Sequence, residues 1–263
     1  MPTLNVTIVQ PDLLWHGAAG NRERLAAMIA KLSNPTDLIV LPEMFTTGFS
    51  MHAPELAETM DGESVSWLRR MAAASNALVC GSLIIVDNGK FYNRFVCAFP
   101  SGELRCYDKR HLFRLANEQD HYTQGSEFVT FGFRGFRIAP LVCYDLRFPV
   151  WSRNRDRYDL LLYVANWPMG RQHAWETLLR ARAIENLSFV AGVNRTGADG
   201  NDIPYSGGSA IIDYLGADLV NLGDGEGSAS VDLDLDELLK FRQRFAFHKD
   251  ADAFEIGGAE SLP

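Results

Sequence analysis

The sequence predicts an α/β fold in which two mixed β-sheets form a layered sandwich with the helices outside. Three observations carry this. Strongly apolar strand patterns alternate with helical patterns along the chain. A β-hairpin interrupts the alternation, so the sheets are mixed and not purely parallel. About a dozen strand segments result, more than one open sheet holds compactly, which favours two packed sheets.

The elements follow in order. Leu4 to Val9 alternates as a strand, and residues 20–33 carry Asn21, Leu25, Met28, Ile29 and Leu32 at helical spacing. Asp37 to Pro42 is a continuous apolar run, the mark of a strand buried on both faces. Residues 61–76 read as a helix with Asp61 as its N-cap, and Ala77 to Val86 as another buried strand. Phe91 to Phe99 and Glu103 to Asp108 flank Ser101-Gly102 and form a hairpin. Gly135 to Cys143 and Asp159 to Ala165 are strands, and residues 172–187 are an amphipathic helix leading into the strand Ser188 to Asn194. Ser209 to Tyr214, Leu219-Val220 and Ala229 to Leu233 read as a closing meander, followed by a helix from Asp234 to Phe245. Residues 251–263 are polar and form a surface or interface tail.

The chain has 263 residues, a length that accommodates one large domain or two small ones. No repeat or low-complexity linker divides it, so residues 1–263 are expected to form one domain. Lys and Arg number 25 against 33 Asp and Glu, a net charge of −8. With no basic run, nucleic acid is not an expected partner. No stretch approaches the roughly 18 apolar residues of a membrane helix, and the N-terminus lacks the basic and apolar regions of a signal peptide. A reduced, cytoplasmic enzyme is the expected class. The spacings of Cys80, Cys97, Cys106 and Cys143 match no zinc motif, and the six histidines include no HExxH, so neither a metal nor another cofactor is expected.

Three segments share one shape, a strong strand that ends in a reactive polar residue, and strand ends are where α/β folds build their sites. In LIVLPEMF, Glu43 follows an apolar strand and a proline. A carboxylate at such a mouth is placed to act as a general base, although a lone loop glutamate is more often solvated. In LRCYDKRHLF, Lys109 ends the hairpin, where an ammonium stabilises a developing oxyanion or simply pairs with an acid. In FRIAPLVCYDLRFP, Cys143 ends an apolar strand and a polar turn follows at once, the setting of a nucleophile on a sharp elbow. Cys80 and Cys97 fit inert packing better, because apolar strand continues past each, and Cys106 alternates within the hairpin. No histidine pairs with the cysteine by any sequence feature.

Together LPEMF, YDKRHLF, LVCYDLRFP and the later YVANWP resemble the nitrilase superfamily of carbon–nitrogen hydrolases over nearly the whole chain, and CYDLRFP resembles its omega-amidase branch. Tyr144 and Asp145 depart from the Trp and Glu usual in nitrilases proper, and Tyr144 from the Asn usual in carbamoylases. The resemblance implies a four-layer α-β-β-α sandwich and a homodimer. It implies Glu43 as general base, Lys109 as oxyanion stabiliser and Cys143 as nucleophile, with Glu118 the candidate for a second active-site glutamate. It also implies a small-molecule amide substrate, the omega-amide of a 2-oxo dicarboxylate, hydrolysed through a thioester. Another amidase, a carbamoylase or a binding protein on the same scaffold are the alternatives. For the substrate, Arg147 offers a guanidinium that grips a carboxylate or pairs with an acid such as Asp145. Phe113, Tyr144 and Trp167 wall a pocket or pack the core.

Overall fold

The computed structural model describes residues 2–32, 35–154 and 158–256. Its first half runs β1 (Thr3–Gln10), α1 (Ala18–Ala30), β2 (Leu38–Val40), α2 (Ala53–Leu56), α3 (Glu63–Ser75), β3 (Leu78–Asp87), β4 (Lys90–Ala98) and β5 (Leu104–Asp108). Then come β6 (Phe131–Phe133), β7 (Phe136–Val142), α4 (Pro149–Ser152), β8 (Leu160–Val164), α5 (Gln172–Asn186) and β9 (Phe189–Val193). The last part holds β10 (Thr196–Ala198), β11 (Pro204–Ser206), β12 (Ala210–Ile212), β13 (Asp218–Asn221), β14 (Gly227–Asp234) and α6 (Leu235–Arg244).

Among the described residues two six-stranded sheets carry the fold, ordered β14-β1-β2-β3-β4-β5 and β13-β12-β9-β8-β7-β6, with β10 and β11 as a separate ribbon. The pairs β1–β2, β2–β3, β7–β8 and β8–β9 are parallel and their outer neighbours antiparallel, so both sheets are mixed. The period of two along each strand divides the apolar residues between two cores. Leu38, Val40, Leu78, Cys80, Phe95 and Cys97 face inward against Ile138, Leu160 and Leu162 of the second sheet. Ile39, Leu41, Val79, Val96 and Ala98 face the other way, against Leu25 of α1 and Val65, Leu68 and Ala72 of α3. Trp175 and Leu179 of α5 cover the outer face of the second sheet, closing so tightly on Gly192 that a Cβ there would lie 2.5 Å from Leu179. The layers are therefore α-β-β-α.

Two expectations are corrected. The N-cap of α3 is Gly62, not Asp61. Glu58 takes the cap's place, since its Oε2 accepts from the Ser64 N–H at 2.7 Å. The closing strands do not form a meander. β12 and β13 pair in the second sheet, whereas β14 returns to the first and pairs antiparallel with β1 along its whole length. The apolar face decides this, since Leu4, Val6 and Ile8 lie directly opposite Leu233, Val231 and Ala229. The short strands β6, β10 and β11 and the helix α2 lack a local pattern long enough to read. Of the tail, residues 251–256 have no regular structure and the rest lies outside the described residues.

The sheets bring the ends of β2, β5, β7 and β8 to one place. The end of β5 is held by a loop, in which the Gly125 N–H donates to the Lys109 carbonyl at 2.9 Å. A Cβ on Gly125 would lie 2.1 Å from the Asp108 carbonyl oxygen. Gly125→Ala is therefore expected to cost about 1–3 kcal/mol of stability in urea denaturation, the range of overpacking, and to lower activity through Lys109.

Candidate active site

Each of the three strand ends is fixed by its neighbours. After β2, the Met44 N–H donates to Ser82 Oγ at 2.9 Å and the Phe45 N–H to the Ser82 carbonyl at 3.2 Å, which clamps the turn carrying Glu43 onto β3. Lys109 follows β5 directly, and its N–H donates to the Asn93 carbonyl of β4 at 3.0 Å. Cys143 follows β7 and opens a tight 3-10 turn, Cys143–Arg147. Its φ of 45° puts a non-glycine residue in the left-handed region, a strained geometry that turns a nucleophile out of its strand.

Glu43, Lys109 and Glu118 are buried together. Lys109 Nζ donates to Glu43 Oε1 at 3.1 Å and to both oxygens of Glu118, at 2.9 and 2.8 Å. The Phe113 N–H donates to Glu118 Oε2 at 2.6 Å and pins that carboxylate. Two asparagines complete the set. Asn93 Nδ2 donates to Glu43 Oε1 at 2.7 Å, and Asn93 Oδ1 accepts from the Ser82 hydroxyl at 2.8 Å. The Asn166 N–H donates to Glu43 Oε2 at 2.8 Å, and Asn166 Nδ2 donates to the Glu43 carbonyl at 2.6 Å. Sequence reasoning assigned no part to either asparagine. The available signals were a Ser and an Asn inside apolar strands and the polar residue in YVANWP.

The electrostatics follow from one cation between two carboxylates. Burial opposes charge on Lys109, but Glu118 and Glu43 overcome it and hold the ammonium above the ordinary lysine range. Burial pushes the Glu118 carboxyl up, with Lys109 pulling the other way. The Cys143 thiol is pushed well above its ordinary range by burial and then by the charge of Glu43, which Lys109 only partly offsets. The resting cysteine is thus a thiol that needs a base, not a standing thiolate.

A second network ties the elbow to β5. Asp145 is buried, and its Oδ1 accepts from the His111 N–H at 2.9 Å while His111 Nδ1 lies 2.7 Å away. Its Oδ2 accepts from Tyr107 Oη at 2.8 Å and from the Val142 N–H at 3.0 Å. Asp145 is therefore committed to β5 and the elbow and not to Arg147. His111 likewise serves Asp145 and stacks on Phe148, with ring centroids 3.7 Å apart.

A cavity of about 290 Å³ opens at Cys143, and Phe113, Tyr144, Asn166 and Trp167 line it. Such a volume suits a small ligand. Arg147 is exposed and is not among the lining residues; its guanidinium sits 4.9 Å from the Trp167 ring centroid. Arg171, to which sequence reasoning assigned nothing, does line the cavity.

The model of the carbon–nitrogen hydrolase family matches residues 5–243. This chain belongs to the carbon–nitrogen hydrolase family. The hydrolase is 46% identical to Omega-amidase YafV of Yersinia enterocolitica, over 97% of this chain and 99% of the relative. It is 34% identical to 2-oxoglutaramate amidase of Bacillus subtilis, over 93% and 96% of the two chains. A CN-hydrolase superfamily protein of Xanthomonas campestris, solved with an arsenic adduct in its active site, superposes on the hydrolase with a TM-score of 0.95. The two share 46% identity, with 98% of this chain and 100% of that one covered.

Two outcomes test the site. Lys109→Met leaves two buried carboxylates without their cation, so urea denaturation is expected to show a loss of about 3–5 kcal/mol. Adding Glu118→Gln is expected to recover part of it. Alkylation of Cys143 by iodoacetamide is expected to accelerate with pH up to about 9 without a plateau, as for a thiol of raised pKa. A plateau near neutrality would show a standing thiolate instead.

Proposed function

We propose that this hydrolase is a cysteine-dependent omega-amidase. It hydrolyses the omega-amide of a small dicarboxylate, of the 2-oxoglutaramate or 2-oxosuccinamate type, to the acid and ammonia through a thioester. The observation that carries the chemistry is the buried Glu43–Lys109–Glu118 cluster at the foot of the Cys143 elbow. The names of the full-length relatives support the substrate class.

Glu43 takes the thiol proton as Cys143 Sγ bonds to the amide carbonyl carbon. The oxyanion accepts from Lys109 Nζ and from the Tyr144 N–H, a donor that the start of a helical turn leaves without an intrahelical partner. When the tetrahedral adduct collapses, the C–N bond breaks and the proton on Glu43 passes to the leaving nitrogen, releasing ammonia. Glu43 then takes a proton from water, whose oxygen attacks the thioester. The C–S bond breaks, the acid leaves, and the proton returns to sulfur. Glu118 keeps Lys109 protonated and aimed, and no histidine is needed. Phe113, Tyr144 and Trp167 wall the substrate.

The working unit in this reading is one domain of residues 1–263 acting as a cytoplasmic homodimer. Among the described residues no helix is long and apolar enough to cross a membrane, which is consistent with that setting.

Steady-state ammonia release from 2-oxoglutaramate tests the reading directly. Cys143→Ala is expected to lower it by roughly 10⁴-fold or more. Mass spectrometry of the native enzyme is expected to trap an acyl adduct on Cys143. Turnover of N-carbamoyl amines alone would replace this reading with a carbamoylase.

A further inference from the structure

We propose that Arg171 anchors the substrate's distal carboxylate, the end remote from the scissile amide. The inference rests on the omega-amidase reading and names the group that makes the pocket selective for it.

Two groups of opposite formal charge, Asp199 and Arg171, line the cavity. Asp199 accepts three hydrogen bonds from its own loop. Its Oδ1 accepts from the Asn201 and Ile203 N–H groups at 2.8 and 3.1 Å, and its Oδ2 accepts from Tyr205 Oη at 2.9 Å. Those bonds commit the carboxylate to shaping the loop at the cavity, and its negative charge repels rather than binds a carboxylate ligand. Arg171 is the opposite case. Among the described residues no carboxylate lies within ion-pairing distance of it. Of the other half-buried arginines, Arg94 pairs with Asp108 at 2.7 Å and Arg242 with Asp159 at 2.6 Å, whereas Arg69, Arg110 and Arg153 donate to backbone carbonyls.

The backbone of Arg171 is held on both sides. Its N–H donates to the Pro168 carbonyl at 2.9 Å, and its carbonyl accepts from Trp167 Nε1 at 2.8 Å. The guanidinium stands 5.1 Å from the centroid of the Phe113 ring. An arginine stacked on an aromatic face keeps its N–H fork free at the edge, in the plane that matches a carboxylate. The same residues lock the anchor to the chemistry, because the Phe113 N–H holds Glu118 and the residue before Trp167 holds Glu43. A carboxylate gripped at Arg171 therefore orients the amide over Cys143 with binding interactions remote from the reacting bond. Arg147, on the Trp167 ring outside the lining, is the competing cation.

The test compares Arg171→Ala and Arg171→Lys with the native enzyme on 2-oxoglutaramate and on pentanamide, which has the same chain length and no carboxylate. For Arg171→Ala, KM for 2-oxoglutaramate is expected to rise about 10- to 100-fold, the range of a lost charged hydrogen bond, and by at least tenfold more than for pentanamide. Arg171→Lys is expected to recover part of the loss, since it keeps the charge without the fork. Equal losses on both substrates, or a rise in KM from Arg147→Ala alone, would overturn the assignment. Calorimetric binding of 2-oxoglutarate to Cys143→Ala protein, with and without Arg171→Ala, reads the anchor without turnover. Unchanged binding sinks the anchor. A native enzyme that releases no ammonia from 2-oxoglutaramate while this binding still depends on Arg171 sinks the omega-amidase reading and leaves the anchor standing.

Discussion

Everything at this site depends on one ammonium held between two carboxylates, all three buried from bulk solvent. A buried charge is costly unless it is paired and hydrogen-bonded, and each member of the cluster is both. Lys109 stays charged because Glu118 and Glu43 require it. Glu43 stays oriented because Lys109, Asn93 and the Asn166 N–H hold its oxygens. Burial first, and then the charge of Glu43, keeps Cys143 protonated. In the proposed mechanism two duties are therefore divided: Glu43 moves the proton, and Lys109 stays charged to receive the oxyanion.

The same arrangement explains why the cysteine sits on a strained turn. The Asp145 carboxylate accepts from Tyr107, His111 and the Val142 N–H. It therefore binds the elbow of the second sheet to the strand end of the first. Three donors on one buried carboxylate tie the turn that holds Cys143 at a positive φ to the point where the two sheets meet.

Most of the fold was legible because strands buried on both faces and a hairpin carry strong local patterns. Glu43, Lys109 and Cys143 were legible for the same reason, since each follows the last residue of such a strand. What escaped was information that exists only between segments. The return of β14 to β1 is set by pairing between faces far apart in sequence, and no local period records it. Asn93 and Asn166 look like ordinary polar residues until the sheets bring them to Glu43. Arg147 and Arg171 are both arginines flanking the cavity's aromatic wall, and only the packing of Trp167 and Phe113 distinguishes the outer from the inner one.

The pairing of β1 with β14 also governs the order in which the molecule is made. Thr7 and Ser230, hydroxyl to hydroxyl at 2.7 Å, stand 223 residues apart. On the ribosome β1 emerges first and waits with one edge unpaired until nearly all of the chain has followed. An edge strand left open is a template for other chains. Such a non-local closure makes folding slow and sheet completion a late event. The turn that carries Glu43 lies further in, clamped to Ser82 of β3, so its anchor on the first sheet is made long before β14 closes the edge.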